Sequence, residues 1–583
     1  MIDTHVYVVG LDGVPPPLLE QGIAQGRLPT LGRLRDAGAS GVTHSTIPPI
    51  SMLAWSTFAT GRDPGNHGVF NFMLKEPASH QYRFADASVL RDNTIPVWEY
   101  LDAEGRASGT VNVMPGYPPS RTRGYHVADH ITTPKNAHFV SPDWLQMELD
   151  DLVSGYEPAL PSDLTTDAGK DAVQEYLDRF LRTERDNVTV ANYLVERFDC
   201  ALTTIVFSGP DVLLHNVGHL RDETHSAFRP ALADQFGDAP LDLLKLYDRF
   251  LDRMTEQMGD DDLLFVLSDH GHGSIERTIN LNAWLYQNGY LALDRDLWTR
   301  LKVFGYNYLF DYVESGLRKT GLYHWLKRTV ARSSSGDDGT DLARLVTLSQ
   351  DDIDWSETAA FTVSADGQLY LNSASQYEAG TVEPRRHESV KADLRRDLLD
   401  VRDPETGDQV FEDILDGSVV YDGQYESVGP DLVAVPKPGH EITFPQTMQT
   451  NRTFQPPEKP SSHTSFRERD GIFIAWGSDV VLRDAVEMGL TDFAPTVLAL
   501  LGVPVPVAMD GDVRDDLVQR QLPSTRGTTA GKVRSRRCIR AVVDDIRQST
   551  GRDQDESPHS GRRNGNPRSD IHADTTDRGS EEI

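Results

Sequence analysis

Residues Thr4–Gly13 read THVYVVGLDG, a run of apolar and β-branched residues that stops at an acid and a glycine. A short apolar run closed by a turn signal reads as a strand buried on both faces. The following PTLGRLRDAG, residues 29–38, has a helical spacing of apolar positions. The same design returns at 201–211, ALTTIVFSGPD, at 261–273, DDLLFVLSDHGHG, and late in the chain at 470–477, DGIFIAWG. Strands separated by helical patterns predict an α/β fold with a mainly parallel sheet. Three of the runs carry Asp at or just beyond the C-terminal end, the edge where such sheets bind ligands.

The chain has 583 residues, too many for one ordinary core, so a large domain with insertions is expected. The reading is a catalytic core over 1–290, with an insertion at about 75–190 that holds a further strand in ASGTVNVMPGYPP. A cap or lid subdomain follows over 291–460. It mixes helices, as in DLWTRLKVFGYNYLFDYV (296–313), with turns such as VPKPGHEITFP (435–445). The core resumes over 461–517. From 518 to 583 the chain is polar and nearly free of aromatics, which predicts a disordered tail with at most a short helix in CIRAVVDDIRQ (538–548).

The formal charge is -32 and Arg outnumbers Lys. That balance excludes nucleic acid and anionic membranes as partners held by general electrostatics. No apolar run reaches the length needed to span a bilayer. The two cysteines, Cys200 and Cys538, are too few for a disulfide framework or a thiolate zinc site. The N-terminus runs directly into a strand without a leader pattern, so a soluble cytoplasmic protein is expected.

Chemistry-bearing side chains gather at the strand ends. Asp12 closes the first strand. Asp211 and His215 in PDVLLH lie four apart, on one helical face. Asp269 and His270 are adjacent in LSDHGHG, and His463 precedes the late strand. Singly, each has a structural reading as a helix cap, a turn former or a half-exposed pair. His219 and His272 fit such a reading and are taken as supporting or incidental. Together, three carboxylates and three imidazoles suit two zinc-like ions. Such a pair can clamp the attacking and leaving oxygens of a displacement at phosphorus. Ser51, which follows STIPPI at the start of a small-residue helical run, is the hydroxyl such ions would activate.

These motifs resemble those of the alkaline phosphatase superfamily, specifically its type I phosphodiesterase / nucleotide pyrophosphatase branch. The resemblance rests on VVGLDGVPPPLL, STIPPISMLAWSTFATGRDPGNHGVFNF, PDVLLH, VLSDHGHG, INLNAWLYQNGYLAL, SSHTSFRERDGIFIAWG and LTDFAPTVLALLGVPVPVAMDG, which reach to about residue 512. It implies a three-layer α/β/α sandwich with an inserted cap, two divalent metal ions, zinc or alternatively manganese, and a small phosphate ester as substrate. It implies Ser51 as nucleophile, with Asp12, Ser51, Asp269 and His270 around one ion and Asp211, His215 and His463 around the other. The branch usually carries Thr as nucleophile, and it places an Asn where this chain has Phe72. Asn71, one residue earlier, is the substitute expected to hold a phosphate oxygen. The implied activity is metal-dependent phosphodiester hydrolysis through a phosphoserine. The alternatives are a phosphomonoesterase, a phosphonate hydrolase or a non-catalytic metal-binding relative. A sulfatase is excluded, because MLAW follows Ser51 where the formylglycine signature is required.

The acidic surface also fits a protein adapted to high salt, where its self-repulsion is screened. Thermal unfolding followed by circular dichroism is then expected to give a higher Tm in molar than in millimolar KCl.

Overall fold

The computed structural model describes residues 4–76, 78–296, 299–300, 302, 350–363, 366–442, 452–457, 459–523, 526–527 and 530–537. Most of the helix read over 296–313, Cys538 and the tail segment 538–548 lie outside the described residues.

Nine strands form the central sheet. In chain order they are β1 (Val6–Leu11), β2 (Ala39–His44), β3 (Ser108–Val111), β4 (Gly124–Val127), β5 (Val140–Ser141), β6 (Leu202–Phe207), β7 (Leu263–Leu267), β8 (Asp470–Trp476) and β9 (Arg483–Gly489). Their spatial order is β9-β2-β8-β7-β1-β6-β3-β4-β5. β1 lies at the centre, parallel to both neighbours, with Val9 opposite Ile205 and Val8 opposite Phe265. Only β8 and β5 run against the rest. The sheet is therefore mostly parallel, as the strand–helix alternation predicts.

Both faces of the sheet are covered, which explains the nearly unbroken apolar strands. Val9, Leu11, Ile205, Phe207, Leu264 and Val266 face one core, with the long helices Lys170–Arg197 and Ala239–Gln257 packed over them. Val6, Val8, Val206, Phe265, Leu267 and Phe473 face the other, under helices that include Ser51–Thr60 and Phe493–Leu500. Each fully buried Val, Leu or Phe contributes roughly 1.5–3 kcal/mol relative to exposure, so the sheet is the most stable frame on which a site could be hung.

The helix Ser51–Thr60, called α1, is buried at every residue. A helix that is apolar or small all round belongs inside a core. It stops at Gly61, whose φ of 63° gives the left-handed C-terminal cap that glycine accepts without strain. Its start carries no side-chain cap, since Ile50 holds the capping position. Ser51 thus occupies the uncapped, positive end of the helix.

A third core is built mostly from the 291–460 stretch, joined by Ile279, Leu281, Trp284 and Leu285. Four antiparallel strands, Ala360–Thr362, Gln368–Leu371, Leu432–Pro436 and Phe411–Asp416, pack with the helix His387–Leu399.

Two boundaries differ from the sequence reading. The stretch of about 75–190, read as an insertion, supplies β3, β4 and β5 to the central sheet. Those strands have only 4, 4 and 2 residues, too short for a clear apolar period. The polar stretch from 518 stays attached to the folded body at first. Val518, Leu522 and Val533 are buried in the second core, the last on a helical segment at 530–537.

At Gly10 the central strand passes directly beneath Trp55 of α1, and a Cβ there would lie 2.5 Å from the indole ring. Gly10→Ala is therefore expected to lower the unfolding free energy by about 1–3 kcal/mol through overpacking, measured as a shift of the urea midpoint at unchanged slope.

Candidate active site

The topology brings seven of the eight predicted side chains to one edge of the sheet. β1, β2, β6 and β7 run the same way, so the segments leaving their C-terminal ends emerge side by side. Asp12 follows β1, Ser51 lies beyond β2, Asp211 and His215 follow β6, and Asp269 and His270 follow β7. His463 reaches the same edge because β8 runs in the opposite direction and its preceding loop arrives there. The loop after β1 can approach because Gly13, with φ 69°, has no side chain. A Cβ there would sit 2.8 Å from Asp211 Cβ.

The helix Gly209–Val217, α2, presents Asp211 and His215 on one face, with His215 Nε2 3.4 Å from Asp211 Oδ1. His463 Nε2 lies 3.7 Å from the same oxygen. Across the site, His270 Nε2 is 3.4 Å from Asp269 Oδ2 and 3.6 Å from Asp12 Oδ1. Ser51 Oγ is 3.1 Å from His270 Nε2, and it donates to Asp12 Oδ1 at 3.5 Å. The His270 and His463 rings stack at 3.7 Å, so the two halves adjoin.

Three imidazoles are oriented by backbone carbonyls. Nδ1 of His215 donates to Ser461 O at 2.6 Å, that of His270 to Gly271 O at 2.9 Å, and that of His463 to Pro49 O at 2.7 Å. A carbonyl only accepts, so each Nδ1 carries the proton and each Nε2 turns a lone pair inward. That is the tautomer a metal ligand needs.

Charge is crowded here. Burial, then Asp269 and Asp211, pushes the Asp12 carboxyl well above the ordinary range. Burial also raises Asp269, against the opposing pull of His270. At Asp211 burial acts upward too, but His215, His272 and His463 outweigh it and hold the group well below the ordinary range. Burial, reinforced by His270, pushes His463 well down. Asp211 Oδ1 and Asp269 Oδ2 are buried without hydrogen-bond partners. Buried carboxylates left this way are costly unless a cation completes them.

The ligand atoms of Asp211, His215 and His463 all lie within 4.8 Å of one another, as do those of Asp12, Asp211 and His270. Carboxylate oxygens and inward-facing imidazole nitrogens at such spacing fit two borderline divalent cations. Asp211 belongs to both groups and stands between them.

Asn71, the eighth residue, has its amide engaged by other protein groups. It is buried, its Oδ1 accepts from Phe72 N at 2.7 Å, and its Nδ2 donates to Gln368 Oε1 at 3.1 Å and Asp366 Oδ2 at 3.4 Å. Its Nδ2 is thus committed to the 291–460 segment, whereas the sequence reading expects it to hold a phosphate oxygen.

Two further groups stand at the site: His272, which the sequence reading takes as supporting or incidental, and Asp366, which it does not single out. His272 Nδ1 sits 3.4 Å from Asp211 Oδ1, its side chain only 2% exposed and both ring nitrogens unpartnered. Burial pushes it down to about 4, so it is neutral at pH 7. Its place two residues after His270 was the available signal. Asp366 approaches from the cap side with φ 81°, and burial pushes its carboxyl up to about 6. No motif marks it. His219 lies apart, ring against ring with His225 at 5.7 Å.

Comparison with known proteins gives the family of the chain. A family model described as type I phosphodiesterase / nucleotide pyrophosphatase matches residues 6–463. No curated protein matches the sequence. Solved structures with a similar course include phosphonoacetate hydrolase from Sinorhizobium meliloti in complex with phosphonoformate, at 14% identity and a TM-score of 0.48 over 85% of this chain and 96% of that one. Human ectonucleotide pyrophosphatase / phosphodiesterase 5 matches at 13% identity and 0.47, over 89% of this chain and 100% of that one.

Removing one imidazole of the Asp211 group should empty one position and spare the other. His215→Ala is expected to lower zinc from about two ions per chain to about one, read by mass spectrometry after dialysis against metal-free buffer.

Proposed function

The chain belongs to the type I phosphodiesterase / nucleotide pyrophosphatase family, whose members are phosphoester hydrolases, and from that membership we propose a metal-dependent phosphodiesterase that works through a phosphoserine at Ser51. The observation that carries this reading is the position of the Ser51 hydroxyl, between His270 Nε2 and Asp12 Oδ1 at the uncapped start of α1. A serine in isolation is a weak nucleophile, and it needs an acceptor for its proton and a positive field for its developing charge. Asp12 Oδ1 is the acceptor, and the helix terminus supplies part of the field.

Asp12, Ser51, Asp269 and His270 would hold one divalent cation, and Asp211, His215 and His463 the other. Bound there, the ions supply Lewis-acid stabilisation of charge at phosphorus and at the two apical oxygens. Ser51 Oγ forms the new bond to phosphorus while the bond to the departing alcohol breaks, leaving phosphoserine. Water then attacks the same phosphorus and restores the hydroxyl. The carbonyls of Ser461, Gly271 and Pro49 fix the three imidazoles throughout, so no ring has to turn during the reaction. His272, held neutral by burial, packs against Asp211 and steadies its carboxylate.

The substrate is a small phosphate ester. The 291–460 segment, read as the cap, would meet the leaving group. Among the described residues no helix is long and apolar enough to cross a membrane.

Ser51→Ala is expected to lower the hydrolysis rate of bis-p-nitrophenyl phosphate on the order of 10³-fold while the bound metal stays above one ion per chain. Matched rates on p-nitrophenyl phosphate and on a phosphonate separate a diesterase from its monoesterase and phosphonatase relatives.

A further inference from the structure

A cavity of about 690 Å³ lies beside the loop that leads to Ser51. One side of it is formed by His44, Ser45 and Ile47, at the end of β2. The other sides come from Phe466 and Arg469, from Leu490 after β9, and from Leu415 and Val420 of the cap strand and turn. None of the predicted metal ligands lines it.

Its lining is divided. Ile47, Leu415, Val420, Phe466 and Leu490 make an apolar wall. The polar part centres on Arg469. The Arg469 Nε donates to Ser45 O at 2.8 Å, which aims the guanidinium, yet the group forms no ion pair among the described residues. Burial pushes its basicity below the ordinary arginine value. Ser45, beside it, has a buried hydroxyl with no hydrogen-bond partner.

The other charged groups of the lining are committed. Arg395 Nη2 lies 3.3 Å from Asp413 Oδ1, and Asp416 Oδ2 lies 2.9 Å from Lys391 Nζ. Asp63 is raised by burial and by Asp510 and Asp492, which favours its neutral form. His44 Nδ1 is 2.7 Å from Asp470 Oδ1. A partly desolvated guanidinium with no ion pair among the described residues, beside an unpartnered hydroxyl and an apolar wall, is complementary to one anionic head on an apolar body.

We propose that this cavity is an accessory binding site for an amphipathic organic acid, a molecule with a single carboxylate, sulfonate or phosphate group, anchored by Arg469 and Ser45. The loop that lines it runs on to the active site: four residues beyond Ser45, Pro49 O accepts from His463 Nδ1, and Ser51 follows. The site is distinct from the phosphoester site, and its occupancy is readable without catalysis.

The test uses the full chain and 8-anilinonaphthalene-1-sulfonate, an apolar ring system with one sulfonate. Its fluorescence should saturate at one site per chain. Arg469→Gln is expected to weaken binding by about tenfold or more, the scale of one lost charged hydrogen bond. Val420→Trp, which fills the cavity without touching Arg469, should abolish the saturable signal. Arg395→Gln should leave the affinity within about threefold, because that side chain is already paired with Asp413. The neutral N-phenyl-1-naphthylamine should bind the unmodified chain about tenfold more weakly. Equal affinity in Val420→Trp overturns the cavity as the site, whether or not the arginine variant folds. Equal affinity of the neutral probe, or a greater loss in Arg395→Gln than in Arg469→Gln, overturns Arg469 as the anchor.

Discussion

Mutual repulsion among Asp12, Asp211 and Asp269 is the constraint around which the rest is arranged. Three carboxyl groups are brought to one buried edge, where each would cost several kcal/mol to keep ionised without compensation. Imidazoles offset part of that cost at Asp211, while Asp12 is left raised by burial, Asp269 and Asp211, and Asp269 by burial and Asp211. Only a frame stable enough to hold like charges together can maintain the arrangement. The central sheet, covered on both faces, is that frame, and the cations the side chains are oriented to receive would convert the repulsion into binding energy.

Much of this is legible in the sequence because the fold is built from strong local signals. A parallel strand covered on both faces must be apolar throughout, so β1, β6 and β7 stand out, and the acids at their ends fall where loops converge. The weak signals are equally physical. β3, β4 and β5 hold so few residues that no period can establish itself, and their stretch reads as an insertion until pairing is seen. β8 resembles its parallel neighbours in composition, because burial on both faces leaves the same trace whichever way a strand runs. Its reversal is nevertheless what carries His463 to the site.

The least legible residues act across chain segments that are distant in sequence. His272 looks like a turn residue until α2 is placed against it, and Asn71 looks like a donor until Gln368 and Asp366 claim its amide. Both depend on partners between 61 and 297 positions away, as the separations of His272 from Asp211 and of Asn71 from Gln368 show. Local pattern carries no record of such pairs. The same holds for Arg469, whose lack of an ion pair among the described residues becomes visible only once the segments around it are assembled.

The contact between Trp55 and Gly10 bears on more than packing. Gly10 lies two positions before Asp12, and Trp55 lies one helical turn beyond Ser51. The indole resting in the gap left by the missing side chain acts as a tooth in a notch. It indexes the nucleophile's helix to the carboxylate's strand, so a slip of either along the other would have to lift the ring out first. Hydroxyl and acid are thereby gauged from one shared reference point, and their spacing is protected even where surrounding loops breathe.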